Sequence, residues 1–287
     1  MKIGFLTDYS EDIVRWAVVT GFRSLELSAG PDSPLDPLKL TRADDRQAVR
    51  DLCARHGVEI SALCYYTNHL HPDPARRKAS NARFLALIEM AAEMGVSVVC
   101  TFAGARPDKS IPETIPEWKK VWSRYVTRAE KHGIKLAIEN CPMFCGWPFR
   151  TNHNIAYRPE AWDLMFEALP SEALGLEYDP SHLFWLHIDY IDAIRTYGPR
   201  IFHVHAKDTE IHYDRFAREG IYGGGWWRYR IPGWGEIDWK EVIAALLDAG
   251  YTGNLDIEHE DPVFHGERHK EGLRLGLKHL QQFVAGD

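Results

Sequence analysis

The chain has 287 residues, 45% of them hydrophobic, which is enough for one large buried core. Its 34 basic and 41 acidic residues give a formal net charge of −7 without any long run of lysine or arginine, which argues against nucleic acid as a partner and favours a small polar ligand. The beginning of the chain carries acids and no long apolar stretch, so we expect neither export nor a membrane anchor, and hence a cytoplasmic protein.

Five cysteines stand at positions 53, 64, 100, 141 and 145. An odd number in a long chain with no secretory signal predicts free thiols rather than a disulfide framework. Cys141 and Cys145 form a CxxxC pair. A structural zinc site there would need two further soft ligands, so we disfavour it.

Apolar runs and helical patterns alternate along the chain. Strand patterns cover residues 2–7, 24–28, 58–66, 96–103, 134–140, 173–179, 200–206 and 254–260. Helical patterns follow them at residues 11–21, 42–57, 74–95, 115–133, 158–169, 190–198, 238–250 and 266–284. Because strands that alternate with helices form parallel βαβ units, eight such units predict an α/β fold, a closed (β/α)8 TIM barrel that forms a single domain over residues 1–287.

One connection is much longer than the others, residues 207–237 between the seventh strand and the next helix. Loops of this length are usually functional or disordered, and the segment EGIYGGGWWRYRIPGWGEIDW is too aromatic for disorder. We expect it to fold over the barrel mouth, with Gly223–Gly225 as a hinge. Its aromatic residues, together with Tyr65, Tyr66 and Trp147 at other strand ends, would stack against a sugar ring or aglycone, or would pack a lid or a subunit contact.

Charged residues stand at the ends of four consecutive predicted strands. They are Glu139 in IKLAIEN, Asp179 in ALGLEYD, His205 in RIFHVHA and Glu258 in NLDIEHE. The chemistry of a TIM barrel lies at the carboxyl ends of its strands, so these side chains are expected to meet at one mouth. An unpaired charge after an apolar run is costly, and a divalent metal would compensate it. Three carboxylates with one imidazole and no thiolate favour Mn²⁺, Mg²⁺ or Co²⁺ over a closed zinc site.

Four motifs carry a resemblance to a known family. They are AIEN with Glu139, YDPSH with Asp179 and His182, HVHAKD with His205 and Lys207, and DIEHEDP with Glu258. Together they resemble the sugar phosphate isomerase/epimerase family of xylose-isomerase-like barrels, which includes ketose 3-epimerases, hydroxypyruvate isomerase, inosose dehydratase and endonuclease IV. The resemblance covers essentially the whole chain and is specific to the superfamily rather than to one reaction.

The resemblance implies a set of site residues. The implied metal ligands are Glu139, Asp179, His205 and Glu258, with Mn²⁺ as the expected ion. The resemblance implies His182 and Lys207 as substrate contacts, and the aromatic and basic residues of the chain add Tyr66, Trp227, Arg228 and Arg230 as expected contacts. The ketose 3-epimerases carry an arginine six residues after the ligand histidine, where this chain has Ile211. We therefore expect Arg228 or Arg230 of the long loop to supply the equivalent positive charge. His203 is then a supporting or packing residue, and we favour packing.

These residues predict chemistry next to a carbonyl group. Glu139 and Glu258 would bind the metal and exchange the α-proton, as in an isomerase or epimerase that acts on a non-phosphorylated keto-sugar through an enediolate. If the enolate expels a group on the β carbon, the same site is a lyase or hydratase of 3-keto-glycosides, or a dehydratase of the inosose type, with His182 or Lys207 as the acid. A third hypothesis is a metal-containing sugar-binding subunit, and a homo-oligomer or an accessory subunit are both open.

Overall fold

The computed structural model describes residues 1–145 and 150–284, with the side chains of residues 145 and 150 left out. Within these residues, eight parallel strands close into a barrel. They are β1 (Ile3–Thr7), β2 (Ser24–Ser28), β3 (Glu59–Cys64), β4 (Val98–Thr101), β5 (Lys135–Glu139), β6 (Leu174–Tyr178), β7 (Ile201–His205) and β8 (Leu255–Ile257). Each strand pairs with its neighbour in chain order, and β1 pairs with β8 through Ile3 and Leu255, which closes the ring. The predicted (β/α)8 barrel is confirmed.

Helices surround the barrel. They are α1 (Glu11–Thr20), α2 (Ala43–Arg55), α3 (Pro74–Glu93), α4 (Ile111–His132), α5 (Pro159–Ala168), α6 (Pro180–Trp185), α7 (Tyr190–Tyr197), α8 (Tyr213–Glu219), α9 (Trp239–Asp248) and α10 (His269–Leu280). The eight predicted helices are present, and α6 and α8 are additional. Helix α4 begins four residues earlier than predicted because Glu113 accepts a hydrogen bond from the Ser110 backbone N–H at 2.8 Å, a capping interaction that closes the first turn. None of the described helices is long and apolar enough to cross a membrane.

The apolar core lies between the strands and the outer helices. Phe84 of α3 packs with Trp122 and Tyr125 of α4, and Trp118 stacks on Trp122 with ring centroids 5.4 Å apart. All four side chains are buried. This layer fixes the helices against the outside of the barrel, so that the interior and the mouth are free for polar residues.

The long segment after β7 is ordered. Its residues Asp208–Ile211 and Trp227–Arg230 pair as an antiparallel hairpin, with α8 and a 3₁₀ turn at Gly220–Tyr222 between them. A second short antiparallel pair, Phe144–Cys145 with Arg150–Thr151, follows β5. Both hairpins follow the carboxyl ends of barrel strands, which is the side on which a barrel carries its chemistry.

Candidate metal and active site

The four predicted metal ligands lie at the carboxyl ends of β5 to β8. Glu139 and His205 are the last residues of β5 and β7, and Asp179 and Glu258 follow β6 and β8 directly. Asp179 also caps helix α6, because one of its oxygens accepts a hydrogen bond from the Ser181 N–H at 2.8 Å. Since neighbouring parallel strands end at the same rim, the four side chains share one mouth.

Short distances connect these side chains. His205 Nδ1 lies 3.3 Å from Glu139 Oε1 and 3.2 Å from Glu258 Oε2. His182, on α6, brings its Nε2 within 3.3 Å of both Glu139 Oε1 and Asp179 Oδ2. One donor atom from each of Glu139, Asp179, His182 and Glu258 lies within 4.8 Å of the other three. These four residues therefore have the spacing of a metal site with His182 as the imidazole, whereas His205, the predicted ligand, has that spacing with Glu26, Glu177 and His203 instead.

Lys207 joins the cluster as its only described lysine. Its ammonium lies 3.1 Å from Asp179 Oδ2, 3.0 Å from Glu260 Oε2 and 3.2 Å from His182 Nε2, and it donates a hydrogen bond to Glu258. Burial opposes its charge, but Asp179, Glu258 and Glu260 outweigh burial and raise the pKa of Lys207 well above its ordinary value. Lys207 is therefore an ammonium ion that balances the surrounding carboxylates.

The carboxyl groups of the cluster have pKa values shifted in opposite directions. Burial and then repulsion from Glu258 raise the pKa of Glu139 well above its ordinary range. Burial also opposes ionisation of Glu258, but the charges of Lys207 and His205 lower its pKa well below the ordinary value. Burial raises the pKa of Asp179 as well, against the attraction of Lys207. The site therefore holds one strongly acidic carboxyl group beside two that retain their protons more readily.

The donor set fits a divalent cation. Carboxylate oxygens and imidazole nitrogens are the ligands that Mn²⁺ and similar ions prefer. Asp179 is fully buried, and its Oδ2 accepts no well-oriented hydrogen bond although the Lys207 ammonium is near. A buried oxygen of this kind is a ready metal ligand because it has little hydration to lose. The nature of the ion is not fixed by this geometry, and Mn²⁺ stays a prediction.

A second polar layer lies inside the barrel and supports His205. Glu26 Oε2 is 2.7 Å from His205 Nε2, and Glu177 Oε1 is 3.1 Å from the same atom. Tyr66 donates a bifurcated hydrogen bond to both carboxylates, at 2.7 Å to Glu26 and 2.8 Å to Glu177. Burial opposes the charge of Glu26, but His205 and His203 outweigh it and lower the pKa of Glu26 to about 2. The layer fixes the imidazole so that Nδ1 faces the cluster.

His203 belongs to the same inner layer, so it is the supporting residue of the two alternatives and the favoured one, packing, is wrong. Its Nδ1 lies 2.9 Å from Glu177 Oε1, and its Nε2 lies 2.9 Å from Asp256 Oδ2. Burial disfavours its charge, but the surrounding carboxylates raise the pKa of His203 to about 10. Asp256 fits here because residue 4 is glycine: a Cβ at Gly4 would lie 2.0 Å from Asp256 Oδ1.

The long segment contributes a residue that the sequence analysis did not assign to the catalytic cluster. Tyr229, on the second hairpin strand, brings its hydroxyl within 2.8 Å of His182 Nδ1. The Lys207 ammonium lies 4.4 Å from the centre of its ring, a cation–π contact. Trp227, two residues earlier on the same face, stacks on Trp185 at 4.3 Å. The aromatic residues of WWRYR indicated a binding surface in the sequence. Which of these side chains face the cluster depends on their alternation along a strand, and the sequence analysis did not predict that strand.

The two arginines of the same strand lie on its other face, because successive side chains of a strand alternate. Arg228 Nε is 2.7 Å from Glu210 Oε2, and Arg230 Nε is 2.8 Å from Asp261 Oδ2. Arg230 also pairs with Glu210. Both guanidinium groups are thus held by carboxylates, and their contact with a substrate stays a prediction. The predicted aromatic contact at position 147 lies outside the described residues.

Comparisons with known proteins agree with this architecture. The sequence matches the family described as the xylose isomerase-like TIM barrel over residues 14–283. The uncharacterised protein YfiH of Bacillus subtilis is 26% identical over 327 residues, an alignment that covers 99% of this chain and 100% of YfiH. The structure of an IOLI protein with a bound zinc atom superposes with a TM-score of 0.75 and 19% identity over 100% of both chains. The structure of 3-keto-D-glucoside 4-epimerase YcjR from E. coli superposes with a TM-score of 0.72 and 16% identity, over 98% of this chain and 99% of YcjR.

Proposed function

This chain belongs to the xylose isomerase-like TIM barrel family, as its motifs predict, and from that premise we propose that it is a divalent-metal-dependent isomerase or epimerase of a non-phosphorylated keto-sugar. One observation carries the proposal. Glu139 and Glu258 both approach His205, 3.3 Å and 3.2 Å from its Nδ1, at the carboxyl ends of the strands. Two carboxyl groups around one centre are what proton removal and return require.

The proposed mechanism assigns a task to each residue. Glu139, Asp179, His205 and Glu258 would hold the cation, which supplies positive charge that acidifies the C–H next to the substrate carbonyl. One of the two glutamates, taken here as Glu258, would remove this proton. Return of a proton to the opposite face by the other carboxyl group epimerises the carbon, and return to the adjacent carbon isomerises the sugar. Lys207, as an ammonium ion, donates a hydrogen bond to the developing enediolate oxygen.

The electrostatics of the mouth favour an uncharged sugar. The three cations that were predicted to contact the substrate, Lys207, Arg228 and Arg230, are each paired with a carboxylate. A phosphate would have to compete with these carboxylates, whereas hydroxyl groups of a neutral sugar can hydrogen-bond to them. The similarity of the fold to a 3-keto-D-glucoside 4-epimerase suggests 3-keto-glucosides as the first substrates to try.

A second candidate function has its own observation. The Lys207 ammonium lies 3.2 Å from His182 Nε2 and also contacts Glu258. An acid placed so close to the base could protonate a leaving oxygen on the β carbon, and the same enediolate would then undergo β-elimination. Lys207 is the residue on which a lyase of 3-keto-glycosides, or a dehydratase of the inosose type, would depend.

Proton exchange in deuterated water separates the candidates. We would remove metal from the protein, add Mn²⁺, and follow keto-sugars, beginning with methyl 3-keto-glucoside, by mass spectrometry and nuclear magnetic resonance. Deuterium beside the carbonyl with a new configuration supports the epimerase, and an ultraviolet-absorbing enone supports the lyase. Sugar binding without deuterium incorporation for any keto-sugar refutes both enzymatic proposals and leaves a sugar-binding subunit.

A further inference from the structure

An apolar cavity of about 480 Å³ lies beside the catalytic cluster. Its side-chain walls come from the loop after β5, from α6 and from the tip of the long segment. They are Phe144, Trp185, Ile221, Tyr222, Trp226 and Trp227. Cavities of this size enclose most of the surface of a small organic ligand.

Planar aromatic surfaces dominate the cavity. Trp185 and Trp227 are stacked with centroids 4.3 Å apart and ring planes within 8° of each other. Trp226 meets Trp185 edge-on at 6.3 Å. The segment Gly223–Gly225 lines the cavity without side chains, and Gly225, with φ of 69°, has a backbone conformation that favours glycine. The walls are therefore suited to a flat ring rather than to a branched or charged group.

The backbone of the cavity wall contains an unusual conformation. His187, which lines the cavity directly after α6, has a φ of 56°, the left-handed region that residues other than glycine rarely adopt. Its ring lies parallel to that of Trp226, with centroids 6.2 Å apart and planes within 5°. His187 follows the C-cap of α6, where its N–H donates to the Phe184 carbonyl and the Ile188 N–H donates to the Leu183 carbonyl, so this conformation ends the helix and shapes the cavity wall.

Tyr229 contacts both the cavity wall and the cluster. Trp185 Nε1 lies 3.4 Å from the Tyr229 hydroxyl, and that hydroxyl lies 2.8 Å from His182 Nδ1. Trp227 packs against the Tyr229 ring at 4.7 Å. A ligand that occupied the cavity and the cluster together would carry an apolar ring at one end and hydroxyl groups at the other.

We propose that this cavity binds the aromatic aglycone of a glycoside whose sugar ring lies at the catalytic cluster. The substrate class is then an oxidised aryl glycoside rather than a free sugar, an inference that rests on the proposed function. The aryl ring stacks on the indole of Trp227 and meets Trp226 edge-on, since these two indole planes lie at 75° to each other, and the sugar extends past Tyr229. Stacking of this kind adds to the free energy of burying the ring.

The test uses phenyl β-D-glucoside and methyl β-D-glucoside as probes that bind without reacting. We expect isothermal titration calorimetry to give a Kd for the phenyl compound about tenfold or more below that of the methyl compound. Trp227→Ala should remove most of this preference while changing methyl glucoside binding far less. Trp234→Ala is the matched control: Trp234 is a half-exposed indole of the same segment that packs on Phe264 instead. It should keep the preference.

Each outcome decides the inference. Equal affinities of the parent for the two glucosides overturn it, and so does a Trp227→Ala variant that weakens both equally. If Trp227→Ala does not fold, Ile221→Ala serves instead, because Ile221 is 49% exposed and its removal leaves the core intact; an unchanged preference in that variant also counts against the cavity. Deuterium exchange into methyl 3-keto-glucoside without a phenyl preference refutes the aglycone site alone. A phenyl preference without exchange in any keto-sugar refutes the proposed reaction alone.

Discussion

Replacing Lys207 by methionine should destabilise the metal-free protein. Methionine keeps an unbranched apolar stem of similar length, so the space beside the Tyr229 ring stays filled, while the positive charge and its cation–π contact are lost. The ammonium of Lys207 lies 3.1 Å from Asp179 Oδ2 and 3.0 Å from Glu260 Oε2, and it donates a hydrogen bond to Glu258. Asp179 is fully buried. Removal of one partner from a buried ion pair costs about 3–5 kcal/mol, because the remaining charge stays buried.

For a domain of this size, such a loss lowers the melting temperature by roughly 5–8 °C. The measurement is differential scanning calorimetry at pH 8 in the presence of a chelator, with parent and Lys207→Met side by side. Lys109→Met is the control, since Lys109 forms a surface pair with Glu117 at 3.3 Å and exposed pairs contribute at most about 1 kcal/mol.

Addition of Mn²⁺ should then restore the variant, because the cation compensates the same carboxylates. At a free metal concentration one hundred times Kd, binding stabilises a folded protein by about 2.7 kcal/mol. Equal melting temperatures of parent and Lys207→Met in chelator would refute the charge balance that we describe. A variant that melts early but does not respond to Mn²⁺ would refute a metal site formed by these carboxylates.

Three further outcomes are expected. With saturating metal, Glu258→Gln should lose α-proton exchange by about 10²–10⁴-fold, as for a lost general base. The control Glu260→Gln, at a half-exposed neighbouring carboxylate, should lose far less. Equal exchange rates in Glu258→Gln and the parent would mean that another group moves the proton. Because burial raises the pKa values of Glu139 and Asp179, metal binding should release protons, and the metal affinity should weaken as the pH falls. Calorimetry in buffers of different ionisation enthalpy can detect the released protons. A metal affinity that does not change with pH would contradict this prediction. Burial lowers the pKa of His69 from 6.5 to about 3, so as the pH falls the unfolded chain takes up this proton before the folded protein does. The free energy of unfolding should therefore fall by up to about 1.4 kcal/mol per pH unit between pH 6.5 and about 3. His69→Phe should flatten this slope, and an unchanged slope would mean that other groups cause it.

The sequence by itself determined the barrel and the rim of the site. Strand and helix periodicities are local properties, and eight alternations leave one closed architecture. In a closed barrel, a residue at the carboxyl end of a strand lies at the barrel mouth. The sequence alone therefore assigns Glu139, Asp179, His205 and Glu258 to one mouth. The early start of α4 was also readable in the sequence, since Ser110 and Glu113 have the S-x-x-E spacing of a capping pair, but the prediction did not use it.

Only the tertiary structure decided what stands behind and above that rim. Glu26, Glu177 and Asp256 are single acids within apolar strands, and their sequence neighbours do not reveal that His203 and His205 lie between them. Glu26 and His205 are 179 positions apart, and they meet only because the ring of strands closes. The hairpin after β7 likewise turns Tyr229 toward His182 and the arginines toward carboxylates, since pairing with residues 208–211 fixes which face of the strand points to the mouth.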